Sequence, residues 1–216
     1  MDLLCGIAGF THKHCPVEPS YIRNAVRALV HRGPDQQGIY ESSQVSLVAA
    51  RLKIIDLTAG DQPFISEDGN TTLVFNGEIY NCASLREQLR SAGHRFVSSS
   101  DTEVVLHAFR EWDIRCFSRL RGMFALALWT ESEKRLVLAR DRIGIKPLYF
   151  CRAGTELFFG SEIKAILEHP AVERQIDVDG LNCFLRLNYV PAPYTMVQGI
   201  EKLPPGHLLE WVDGKT

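Results

Sequence analysis

Strand-like and helix-like segments of this chain come in separate groups rather than in alternation, and that ordering constrains the fold more than any single motif. Residues 45–50, 71–75, 124–129, 135–139, 148–150 and 157–160 are apolar or β-branched runs of strand length. Helical spacing is confined to residues 20–29, 81–92, 102–112, 162–167 and 178–187. Regular strand–helix alternation would predict a parallel, doubly wound sheet. The grouping predicts antiparallel sheets flanked by helices, an α+β fold.

Boundary residues mark where these elements should begin and end. Ser20 is the expected N-cap of the first helix, and His31-Arg32-Gly33-Pro34-Asp35 reads as a rigid surface turn after it. Residues 51–56 alternate like a further strand, and 60–69 read as loop. The strand Thr71–Phe75 stops at Asn76-Gly77, a strong hairpin pair, yet Glu78-Ile79-Tyr80-Asn81 leads into a helix capped by Asn81. Asp101 is the expected N-cap of the helix over 102–112, and Arg140 to Pro147 forms a second tight charged turn. The tail from Tyr189 to Thr216 carries Pro191, Pro193 and Pro204-Pro205-Gly206 and reads as an extended segment leading elsewhere, which divides the chain into 1–190 and 191–216.

Charge and composition narrow the function. A net charge of −2 gives no electrostatic case for nucleic acid or an anionic membrane surface. No apolar run reaches spanning length, and the N-terminus lacks the basic and apolar regions of a signal peptide. The six cysteines are scattered without the spacing of a zinc or redox site, so they read as reduced thiols in a cytoplasm. His12, His14 and Cys15 cluster, but as a solvated loop rather than a metal site. No glycine-rich phosphate loop follows a strand, so these residues offer neither a metal site nor a nucleotide site.

Cys5-Gly6-Ile7-Ala8-Gly9-Phe10 has two readings. In one, Cys5 is a small buried hydrophobe opening a core strand. In the other, it becomes the first residue once Met1 to Leu4 are lost, and its own α-amine, with a pKa of about 7.7–8.0, serves the thiol as base.

The motif order decides between them. CGIAGF, HRGPDQQG, RLKIID, NGEIYN, SSSDTEV, GMFALAL and RDRIGIKPLYF, in that sequence, resemble the glutaminase domain of asparagine synthetases, which are class II glutamine amidotransferases. The resemblance covers nearly the whole chain. It implies a four-layer αββα sandwich of antiparallel sheets, of the N-terminal nucleophile hydrolase type. It also implies hydrolysis of L-glutamine to glutamate and ammonia through a cysteinyl thioester. Cys5 matches the nucleophile, and Asn76 and Gly77 match the oxyanion hole. Arg51 matches the partner of the substrate α-carboxylate, Glu78 and Asp101 those of the α-ammonium, and Leu52, Ile54 and Ile55 the segment lining the glutamine pocket.

The resemblance further implies a synthetase domain or subunit as partner, which receives the ammonia and makes asparagine from aspartate. ATP and Mg are expected only there, with no cofactor in this domain. It also admits a homodimer. Two departures leave alternatives. Asp2-Leu3-Leu4 stand between Met1 and Cys5, where the family has Met followed directly by Cys, and nothing after Pro204-Pro205-Gly206 resembles the synthetase half. We expect the natural start at Leu4, read as Met, or cleavage of the Leu4–Cys5 bond. The alternatives are an amidotransferase half with another acceptor, or a catalytically silent domain that binds glutamine.

Overall fold

The structure, a computed structural model, describes residues 5–12, 18–53 and 60–216. In chain order these form β1 (Gly6–Thr11), α1 (Pro19–Leu29), β2 (Gln36–Glu41), β3 (Val45–Arg51), β4 (Phe64–Ile65), β5 (Thr71–Ile79), α2 (Cys82–Ser91) and α3 (Asp101–Trp112). After a 3-10 turn (Asp113–Ser118) come β6 (Gly122–Thr130), β7 (Arg135–Arg140), β8 (Tyr149–Ala153), β9 (Glu156–Gly160), α4 (Ile163–Ile166), α5 (Val178–Leu187), β10 (Ile200–Lys202) and β11 (Leu208–Val212).

The strands form two sheets, ordered β10-β8-β9-β1-β3-β2 and β11-β7-β6-β5-β4, with every pairing antiparallel. The period-2 geometry of a strand divides each continuous apolar run between two cores. In β3, Val45, Leu47 and Ala49 face the other sheet, while Val48 and Ala50 face α1. In β5 and β6, Val74, Ala127 and Trp129 point between the sheets, while Leu73, Phe75 and Leu126 meet Leu85 and Leu89 of α2 and Val105 of α3. A third cluster joins Phe10 and Phe158 to Ile22, Ala25 and Leu29 of α1 and Ile166 of α4. Three cores between four layers make the αββα sandwich that the resemblance implies. Each fully buried Leu or Phe here is worth roughly 1.5–3 kcal/mol.

Several expectations change. Glu18, not Ser20, is the N-cap of α1, because Pro19 occupies the first helical turn, where its missing N–H costs nothing. Asn81 stands at the N-cap of α2 but makes no cap bond; its side chain instead bonds Arg119 O at 3.0 Å and Arg121 N at 2.9 Å. The 36–41 segment, with no apolar run to announce it, is the half-exposed edge strand β2. His12 is buried, with Nε2 3.3 Å from Ser46 Oγ, rather than part of a solvated loop; His14 and Cys15 lie outside the described residues.

The tail packs on both sheets. β10 pairs with β8 and β11 with β7, so residues 200–212 close one edge of each sheet. Trp211 anchors the end, buried and donating from Nε1 to Thr155 O at 2.8 Å. The prolines flank these short edge strands without interrupting them. Among the described residues, no helix is long and apolar enough to cross a membrane.

Candidate active site

One cavity, of about 190 Å³, gathers residues from six of the motifs: Cys5, Arg51, Asn76, Asp101, Met123 and Lys146 line it together. Its position follows from the register. Gly6 faces Ala50 across the β1–β3 pair, so Cys5 emerges beside Arg51 where both strands end. The Cys5 thiol donates to Leu52 O at 3.8 Å, and its backbone carbonyl accepts from Arg32 Nε at 3.2 Å. Burial pushes the thiol's pKa up, against a lowering from the Arg51 charge.

The turn at 31–35 builds this corner. A Cβ on Gly33 would stand 2.3 Å from Ala50 O, so only glycine lets the turn lie against β3. Asp35 then accepts from Lys53 N at 2.9 Å and donates its own N–H to Arg51 O at 3.2 Å, fixing the segment that carries Arg51 and Leu52. Arg51 is buried and bonds Asp61 Oδ1 through Nη1 at 3.0 Å. Ile54 and Ile55 lie outside the described residues.

The opposite wall comes from the other sheet. Asn76-Gly77 is not a hairpin: β5 continues to Ile79, pairing Asn76 with Ala125 and Gly77 with Phe124. Asn76 is 1% exposed, and its Nδ2 has no hydrogen-bond partner among the described residues. A buried amide N–H left unpaired costs about 1–3 kcal/mol, and this one lines the same cavity as Cys5. Gly77 is required by its neighbour strand, since a Cβ there would meet Met123 O at 2.3 Å. Glu78, exposed, stands at the cavity rim.

Asp101 corrects the sequence reading most. Ser100, not Asp101, is the N-cap of α3, its hydroxyl accepting from Glu103 N at 3.3 Å. The Asp101 carboxylate is released to the cavity wall, where Oδ2 accepts from Ile79 N at 3.1 Å. Burial pushes its pKa up, and the charge of Glu78 adds to this. Ser100→Ala should therefore cost about 1 kcal/mol of stability in urea unfolding. A loss within error of zero would show that the cap contributes nothing.

Several lining residues escape sequence reasoning, Gln62 and Lys146 among them. Gln62 carries no signal beyond preceding Pro63, yet it is buried and its Oε1 accepts from Phe75 N at 2.7 Å. Lys146 sits in a turn that reads as charged and solvated, but its side chain is buried. The one hint is its place directly before Pro147 and the core residue Leu148.

A thiol, an unpaired amide donor, a guanidinium and a carboxylate thus converge on one enclosed space. That set can bind a zwitterion at both ends and attack an acyl carbon between them. Comparison with known proteins gives the family. The family model "Glutamine amidotransferase domain" matches residues 4–216. Asparagine synthetase [glutamine-hydrolyzing] 3 of Bacillus subtilis is 38% identical over 211 residues, covering 95% of this chain and 34% of that protein. Asparagine synthetase [glutamine-hydrolyzing] 1 of the same organism is 37% identical over 207 residues, covering 94% and 33%. The chain thus spans about a third of the length of these curated relatives. Among solved structures, the glutamine phosphoribosylpyrophosphate amidotransferase of B. subtilis shares the fold at a TM-score of 0.67 and 21% identity, covering 98% of this chain and 48% of that one. On the family match over nearly its whole length, this chain belongs to the glutamine amidotransferase domain family.

Proposed function

We propose that this domain hydrolyses the side-chain amide of L-glutamine and hands the ammonia to a synthetase domain that forms asparagine from aspartate. The observation that carries the reading is the buried, unpartnered Nδ2 of Asn76 in the cavity that holds the Cys5 thiol. An amide donor kept dry and unused has a purpose if an oxyanion forms beside it.

In this reading Arg51 takes the α-carboxylate, and Asp101 with Glu78 takes the α-ammonium. The Cys5 thiolate attacks the amide carbon, and Asn76 Nδ2 and the Gly77 N–H hold the resulting oxyanion. The α-amine of Cys5, once free, accepts the thiol proton and returns it to the leaving nitrogen. Ammonia departs, and water then cleaves the glutamyl thioester to glutamate. No cofactor is assigned to the domain, ATP and Mg belonging to the synthetase half. That such a half follows in the intact protein is supported by relatives about three times as long. A cytoplasmic setting suits the five described cysteines, all free thiols.

The experiment is ammonia release from L-glutamine by a chain beginning Met-Cys5, against the chain beginning at Met1. The first should be active and the second silent unless cleaved. Asn76→Ala in the active form should lower kcat by about 10²–10³-fold with KM little changed, because the donor acts only on the transition state. Unchanged kcat in the folded variant would remove Asn76 from the oxyanion hole.

A further inference from the structure

Three cations surround Cys5, and they differ in what they already hold. Arg32 is committed, with Nε on Cys5 O at 3.2 Å and Nη1 on Glu162 Oε1 at 3.0 Å. Arg51 is committed to Asp61 Oδ1 at 3.0 Å. Lys146 is 2% exposed, ranks among the largest fully buried side chains and lines the cavity, yet no hydrogen bond from its Nζ is recorded among the described residues.

An ammonium on the wall of a narrow cavity, with no protein acceptor among the described residues, is poorly compensated. The nearby carboxylates attract this charge at a distance but give its Nζ no hydrogen bond among the described residues. Asp141 is saturated by backbone N–H groups: Oδ1 accepts from Ile143, Gly144 and Ile145, and Oδ2 from Phe124 and Lys146. Asp101 is turned to Ile79 N, and Glu78 stands exposed at the rim. The Cys5 thiol has a complementary deficit. Its hydrogen bond is donated to Leu52 O, and a thiolate has no proton with which to make that bond. On ionising it loses this partner, and a cation on the cavity wall would stabilise the new charge in addition to the protonated α-amine.

We infer that Lys146 is that cation: its ammonium faces the Cys5 thiolate and stabilises it for attack. This rests on the reading of Cys5 as the nucleophile and adds a residue with no part in the mechanism above. Electrostatics are consistent with the placement. Burial and the charge of Arg32 push the Lys146 pKa down, while Cys5, Glu78 and Asp141 hold it up. Of the ionisable groups on the elements around Cys5, Arg32 and Arg51 favour the thiolate, and Asp101 and Glu78 oppose it. Lys146 adds a further positive charge on the wall of the same cavity.

The test reads the thiolate itself and needs no glutamine. The rate of Cys5 alkylation by iodoacetamide is followed against pH by peptide mass spectrometry, which separates Cys5 from the other thiols. In Lys146→Met the midpoint should rise by about one pH unit, a tenfold slower alkylation below the midpoint. Lys146→Arg, which keeps the charge, should stay within about threefold of the parent rate. Circular dichroism and the melting temperature confirm folding, and Lys146→Gln serves as the second neutral variant if Lys146→Met does not fold. An alkylation profile unchanged in a folded neutral variant overturns the assignment. A shifted profile measured in chains beginning Met-Cys5, whose parent releases no ammonia from glutamine, would sustain Lys146 while overturning the glutaminase reading.

Discussion

Cys5→Ala is expected to abolish ammonia release from glutamine, a loss on the order of 10⁶-fold in kcat, as removal of a nucleophile typically produces. The fold should hardly notice. Cys5 precedes the first residue of β1, and its thiol makes one long bond, to Leu52 O at 3.8 Å. Losing a sulfur from a half-buried position costs about 1 kcal/mol or less. The pairing of Gly6 with Ala50 and the bond from Arg32 to the Cys5 carbonyl use backbone atoms that alanine retains. The measurement is glutamate and ammonia formed by the purified variant, beside a urea unfolding curve. Turnover comparable to the parent would remove Cys5 from the chemistry and leave only its packing role.

The second large effect is on stability and falls on Asp141. This carboxylate is 1% exposed and collects five backbone N–H groups, four from its own turn and one from Phe124 of β6. Burial alone would push its pKa up, but the bonds from Lys146, Ile145, Ile143 and Gly144 outweigh it and hold the carboxyl below its usual value. Asp141→Ala leaves those donors buried without acceptors. The expected cost is at least about 3 kcal/mol, a large share of the roughly 5–15 kcal/mol that holds a domain together. The sign with pH follows from the depressed folded pKa. The contribution is complete above the unfolded pKa of about 3.9 and is lost as pH falls through the folded value. The stability gap between parent and variant should therefore narrow on acidification. Urea unfolding at pH 7 and again below pH 4 checks both statements, and a gap under about 1 kcal/mol at pH 7 would show that the turn relaxes around the missing carboxylate.

Much of this was legible from residues alone, and the failures share a cause. Apolar runs such as 45–50 and 124–129 gave the strands because burial on both faces demands unbroken apolar sequence. The edge strand β2 was not legible, since half-exposed Gln36, Gly38 and Glu41 carry no such demand. Short polar residues were the other difficulty. Ser100 and Asp101 can both cap a helix, and only the bond to Ile79 N shows which one is released for the cavity. Asn76-Gly77 resembles a hairpin because the residues that suit a tight turn also suit a strand where backbone crowds backbone, as Met123 O does at Gly77. Lys146 and Gln62 were invisible for a more general reason. A polar side chain in a turn is ordinarily solvated, and only the path of the chain reveals that these two point inward.

The division of the cavity between two sheets has a mechanical consequence. Cys5 and Arg51 stand at the end of the β1–β3 pair, whereas Asn76 lies in β5 and Asp101 heads the helix packed on that strand's sheet. In the proposed binding mode, an amino acid whose carboxylate is gripped from one sheet and whose ammonium is gripped from the other would become a strut across the sandwich. Pulling the layers apart must first release it. Occupancy at a hundred times Kd would add about 2.7 kcal/mol against unfolding. On that reading the substrate would be a temporary part of the scaffold, and the protein would be most tightly fastened at the moment it works.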